Sequence, residues 1–95
     1  LQYIAANYSG RATLEAAAKA AGLSPNYLSS LFKQITGVSF REQLCRVRVE
    51  QSKRLLLSTD YSLDDIAAAV GFSDQSYYCR VFKRIVGLTP GQYRN

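Results

Sequence analysis

The chain has 95 residues, enough for one small domain or for two very small lobes sharing a core. Its hydrophobic fraction of 47% is too high for a disordered chain, and no apolar run approaches the ~18 residues a membrane span needs. A formal charge of +5 points toward a polyanionic partner, while the absence of histidine removes imidazole bases and imidazole metal ligands.

In chain order, Leu1 to Tyr8 is predicted as a leading helix, with Tyr3, Ile4 and Tyr8 facing the pair of helices after it. No initiator Met and no secretory pattern precede it, so the chain is expected to be cut from a longer protein. Thr13 can N-cap a short helix over Leu14 to Ala21, with Glu15 in its first turn and Gly22 ending it. Ser24 caps a second helix with Pro25 at its first position, where a missing N–H is harmless, and Gly37 closes it. A longer helix runs from about Phe40 to Leu57. Ser62, Gly71, Ser73 and Gly87 then punctuate a second pair of helices, and Thr89-Pro90 starts a final short one through Tyr93.

The second half repeats the first. Thr13-Leu14-Glu15 through Gly22-Leu23-Ser24 returns as Ser62-Leu63-Asp64 through Gly71-Phe72-Ser73. Leu31-Phe32-Lys33-Gln34-Ile35-Thr36-Gly37 returns as Val81-Phe82-Lys83-Arg84-Ile85-Val86-Gly87, one residue further along. The repeat preserves glycines and apolar positions, which marks a duplicated supersecondary unit. Helix, short glycine-containing turn, helix is the helix-turn-helix signature. On the connecting helix, Phe40, Leu44, Val47 and Leu55 form one apolar stripe, and Cys45, Val49, Ser52 and Leu56 an adjacent one. One helix with two stripes can pack against two partners.

Leu28, Leu31, Phe32 and Ile35 follow helical spacing and are expected to face the core, as are Tyr78, Val81, Phe82 and Ile85. The opposite faces then carry Asn26, Ser29, Ser30 and Lys33 in the first unit. In the second they carry Ser76, Cys79, Arg80 and Lys83, with Gln75 one turn earlier. A face of this kind is ordinarily plain solvated surface. On the second helix of a helix-turn-helix, the same polar groups can meet base edges in the major groove. Arg80 is the best single base reader, since a guanidinium matches the O6/N7 pair of guanine. Lys33, Lys83 and Arg84 are expected at phosphates, where the helix N-termini at Ser24 and Ser73 also offer N–H donors.

The remaining residues have quieter readings. Tyr27 and Tyr77 divide between packing and a hydroxyl contact to the DNA backbone. Cys45 is expected in the core and Cys79 as a small spacer, since the two match no metal spacing and no disulfide framework. This usage fits a reducing cytosol. Arg48, between the two stripes, is expected to pair with Asp64 or Asp65.

These residues together carry a resemblance. The second unit holds Ile66-Ala67, Val70-Gly71-Phe72-Ser73-Asp74, Tyr78, Arg80-Val81-Phe82-Lys83, Gly87, Thr89-Pro90 and Tyr93-Arg94. The first adds Gly22-Leu23-Ser24, Tyr27-Leu28, Leu31-Phe32-Lys33 and Thr36-Gly37. In order and spacing the chain resembles, over essentially its whole length, the DNA-binding domain of the AraC/XylS family of bacterial transcription regulators. The resemblance implies seven helices, two recognition helices in successive major grooves, and promoter control, usually activation through contact with RNA polymerase. It also implies that Asn26, Ser29, Ser30, Gln75, Ser76, Tyr77 and Arg80 meet bases. Two departures stand out: Ala17 where the family usually places a larger aliphatic and the second unit has Ile66, and Ser52 where alanine is usual. The first lightens the core of the first unit.

The expected fold is all-α and homeodomain-like, with helix-turn-helix units over 1–38 and 59–95 joined by a linker helix over 39–58. The expected function is cytoplasmic, sequence-specific binding to double-stranded DNA, with no cofactor and no metal, and with a sensor or dimerisation domain N-terminal to Leu1. A rival is a helical protein-interaction module that retains only the geometry of DNA binding, suggested by the uncharged reading face of the first unit. Enzymatic chemistry is the weakest reading, because no carboxylate cluster, phosphate loop or nucleophile–base pair is present.

Overall fold

The computed structural model describes residues 14–95; the expected leading helix and the cap at Thr13 lie outside them. Six helices occupy the described residues: α1 (Leu14–Ala21), α2 (Pro25–Thr36), α3 (Phe40–Ser58), α4 (Leu63–Ala69), α5 (Gln75–Val86) and α6 (Pro90–Arg94). They form an elongated body of 43 × 22 × 20 Å, and no strand occurs among the described residues.

Local chemistry sets the boundaries. The side chains of Ser24, Ser39, Ser62 and Thr89 each accept the backbone N–H three residues on, and so cap α2, α3, α4 and α6. Thr89 completes a capping box with Gln92. At the other ends, Gly37 and Gly87 adopt φ of 80° and 93°, and their N–H groups donate to the Lys33 and Lys83 carbonyls. A β-carbon is strained in that conformation, so glycine is what lets both helices stop on schedule.

One expected cap is corrected. The N-cap of α5 is Asp74, whose carboxylate accepts the Tyr77 N–H at 2.7 Å, and not Ser73. The additional residue of the second copy therefore lies in the turn before α5, lengthening it by one. Ser24 thus corresponds to Asp74, and the serine at 73 is left in the turn.

The two stripes of α3 pack against different clusters. Phe40 and Leu44 join Ala17 and Phe32, with Val47 at the edge and the Phe32 and Phe40 rings meeting edge-on at 5.6 Å. Cys45, Val49 and Leu56 join Ile66, Ala67, Val70, Phe72, Tyr78, Val81 and Phe82. Ring contacts run on from Phe72 through Tyr78 and Phe82 to Tyr93 at 5.3 to 5.8 Å. Leu55 departs from its expected stripe and packs on the second cluster. At 1.5 Å rise per residue, it lies a helix length of about 22 Å from Phe40, beyond the reach of α2.

Ile35 is the other correction. Spacing puts it in the core, yet it is 73% exposed. No described element covers it, whereas its counterpart Ile85 packs against the second cluster, as does Tyr93 of α6. At position 17 the small alanine is buried beside Phe32, while Ile66 at the matching position is fully buried and larger. The second unit is therefore the more heavily packed at both matched positions.

Arg94 closes the far end. Its Nε donates to the Leu56 carbonyl at 3.0 Å, and its two terminal nitrogens donate to Tyr61 and Thr59 carbonyls at 2.8 and 3.2 Å. These carbonyls lie at and beyond the C-terminus of α3, where acceptors lack intrahelical partners and a cation is favourable. One side chain of α6 so fixes the path from α3 into α4.

Candidate nucleic-acid interface

The α1–α2 and α4–α5 pairs each present the outer face of their second helix. On α2, Asn26, Ser30 and Lys33 are exposed and Ser29 is half-buried; Tyr27 is also exposed. On α5, Gln75, Ser76, Arg80 and Lys83 are exposed, while Tyr77 and Cys79 are half-buried. Helical spacing brings each set onto one face because the opposite faces are committed: Phe32 to one cluster, Tyr78, Val81 and Phe82 to the other.

Several side chains have internal partners that spacing alone does not reveal. The Tyr77 ring packs edge-on against Phe72 at 5.7 Å, and its hydroxyl accepts a hydrogen bond from Arg41 at 3.2 Å. That bond raises the affinity of the Arg41 guanidinium for its proton. Arg84 donates to both carboxylate oxygens of Glu42, at 3.1 and 3.0 Å, so in the free protein its charge is shared with an acid. Glu42 also accepts from Arg46 at 3.2 Å. Arg48, expected to pair with Asp64 or Asp65, lies with its guanidinium 5.7 Å from the Phe72 ring centroid. Burial lowers its basicity. Burial also pushes the Cys79 thiol up, which keeps it protonated and fits a spacer role.

The helix N-termini differ in charge. At α2 the Tyr27 N–H goes to the neutral Ser24 hydroxyl at 3.2 Å, and Pro25 has no N–H to offer. At α5 the capping group is the Asp74 carboxylate. A carboxylate there opposes the approach of phosphate to the same turn, so the anion-binding role expected near Ser73 is weaker than a serine cap would give. Of the residues that shape this face, Arg41 and Glu42 carry no sequence signal of their role. They act through partners 36 and 42 positions away, and no local spacing marks such pairs. Asp74 does carry one, as a capping residue type, but it stands beside Ser73, which carries the same signal.

Among the described residues there is no group of three or more side chains that could hold a metal ion, and no helix is long and apolar enough to cross a membrane.

Known proteins share this arrangement. A family described as a helix-turn-helix domain matches residues 17–95. The regulatory protein PocR of Salmonella typhimurium is 40% identical over 94 residues, which cover 99% of this chain and 31% of PocR. The chain thus spans less than a third of that relative's length. The C-terminal domain of AraT, a response regulator from Geobacillus stearothermophilus, superposes with a TM-score of 0.92 at 41% identity, covering 98% of this chain and 78% of that one. The DNA-binding domain of AdpA, described as a global transcriptional factor and solved in complex with a target DNA, gives 0.85 at 31% identity, covering 92% and 78%. With a duplicated helix-turn-helix, two outward polar faces and these likenesses, the chain belongs to the AraC-type helix-turn-helix family of DNA-binding transcription regulators.

Proposed function

We propose that the chain binds double-stranded DNA sequence-specifically by placing α2 and α5 in successive major grooves on one face of the duplex. The observation that carries this reading is the pair of exposed polar faces on α2 and α5, both braced on one 19-residue helix, in a body 43 Å long. Successive major grooves are ~34 Å apart, a spacing that such a body can bridge. Two prongs on one rigid connector also combine their affinities without a second loss of translational freedom. The AdpA domain, of similar fold, is seen with its target DNA.

In this reading Arg80 takes a guanine edge, supported by Gln75, Ser76 and Tyr77, while Asn26, Ser29 and Ser30 supply a weaker reading face. Lys33 and Lys83 meet phosphates. Arg84 can do so only by leaving Glu42, which makes it the least available of the three. The longer protein controls promoters in the cytoplasm, most simply as an activator touching RNA polymerase, with signal sensing or dimerisation in a domain outside this chain.

Selection of binding sites from random duplexes tests the reading. A split site with its halves one helical turn apart is the expected result. A single short site would confine recognition to one unit. No duplex binding even at low salt would overturn the proposal in favour of a protein-interaction module.

A further inference from the structure

The arginines of the outer surface sort by what already holds them. Arg46 and Arg84 share the Glu42 carboxylate, and Arg94 is spent on three backbone carbonyls. Arg54, on the C-terminal half of α3, bonds Gln51. Two exposed arginines of the described residues stand outside this pattern. Arg80, on the reading face of α5, has no hydrogen-bond or acidic partner among the described residues. Arg41, in the first turn of α3, is bonded to a neutral phenol.

Arg41 occupies a singular position. Its side chain bonds Tyr77 in the first turn of α5, and it lines a groove with Ser29 of α2, Ser39 and Phe40. One cation thus touches the first turn of one recognition helix and borders the middle of the other. Glu15 lines the same groove but makes no ion pair with Arg41. If α2 and α5 occupy successive major grooves, the duplex surface between them is the intervening minor groove with a phosphodiester strand on each side. The geometry points to Arg41 as a third contact on DNA, a clamp on a backbone phosphate between the two half-sites, with Tyr77 aiming the guanidinium. This inference rests on the two-groove reading.

An arginine on phosphate carries no sequence information, but it fixes register. It therefore ties the two units to one spacing, since the phosphate it holds has a set distance to each half-site. Releasing the counterion of one phosphate changes the salt slope by about 0.9 and affinity by about tenfold at 0.1 M salt.

The test uses this chain and a split site obtained by selection, read by fluorescence anisotropy over a salt series. Arg41→Ala is expected to weaken binding about tenfold, flatten the slope by about one unit, and leave the base preferences unchanged. Arg41→Lys should restore most of the slope. Tyr77→Phe, which keeps the cation and removes its guide, should keep the slope with a smaller loss of affinity. Neutral methylphosphonates are then placed one at a time between the half-sites. One position should weaken the wild-type protein and leave Arg41→Ala unaffected. An unchanged slope in Arg41→Ala, or penalties that multiply at every phosphate position, would overturn the clamp while leaving two-groove binding intact. A selected site confined to one groove would instead overturn the two-groove reading, and the clamp with it.

Discussion

Both terminal nitrogens of Arg84 on α5 bind the carboxylate of Glu42 on α3, at 3.0 and 3.1 Å across 42 positions of sequence. The pair ties α5 to the start of the connecting helix, and Arg46 steadies the same carboxylate from one turn along α3. It holds an orientation more than it holds the fold together. The Arg84 side chain is 55% exposed, and bonds between such charges are worth at most about 1 kcal/mol.

Glu42→Gln should therefore lower stability by about 0.5–1 kcal/mol at neutral pH, measured by urea denaturation. The hydrogen bonds from Arg84 hold the Glu42 carboxyl below the ordinary glutamate range, against a smaller opposing push from burial. A depressed folded-state value means the native state binds fewer protons in acid. Its contribution is complete above the unfolded value of about 4.3 and is lost as pH falls through the folded one. The gap between wild type and variant should close on acidification. An equal gap at neutral and strongly acid pH would refute the assignment.

The placement of the α5 cap separates two neighbours. Asp74→Ala removes the acceptor of the Tyr77 N–H and should cost about 1 kcal/mol. Ser73→Ala, in the turn, should stay within about 0.5 kcal/mol of wild type. Thermal melts of the two variants decide it, and the reverse order would return the cap to Ser73.

Arg80 tests base reading. Arg80→Ala should cost about 1–3 kcal/mol on the selected site and relax preference at one base pair. Lys83→Ala should weaken all duplexes alike and reduce the salt dependence. Both are compared at one fixed salt concentration. Unchanged binding of Arg80→Ala to its site would remove it as a reader.

Two glycines near the C-terminus should respond with opposite signs. Gly87 has φ of 93° and open space around a prospective β-carbon, so Gly87→Ala is penalised by backbone strain alone, about 1–2 kcal/mol. Gly91 lies within α6 at negative φ, also with open space, so Gly91→Ala should be neutral or stabilising by up to about 1 kcal/mol. Chemical denaturation of both gives the comparison.

Much of this architecture is legible in the sequence because it is written in short-range chemistry. The glycines at 22, 37, 71 and 87 all take positive φ, as their places after helical runs imply. Serine and threonine caps act over three residues, and the two stripes of α3 follow from a period of about 3.6. The outer polar faces of α2 and α5 emerge by subtraction once the apolar positions are assigned. Ile35 shows where periodicity stops: spacing places a residue on a face but does not say whether anything lies against it. At Ser73 and Asp74, two adjacent capping residues satisfy the same rule, and only the backbone path of the turn chooses between them.

What the sequence determined by itself was the duplicated helix-turn-helix and its polar faces, because propensity, capping and amphipathic period are local. The tertiary structure alone decided which charges are spent and which remain exposed. Arg84 and Arg80 sit four positions apart on one helix and look equivalent as cations. Folding brings Glu42 within 3.0 Å of Arg84 and leaves Arg80 facing outward. It also sets Arg41 against α5 and beside a groove it shares with Ser29 of α2, through a bond to a residue 36 positions away. Electrostatic partnership depends on distance through space, and only the packing of α3 against both units fixes that distance.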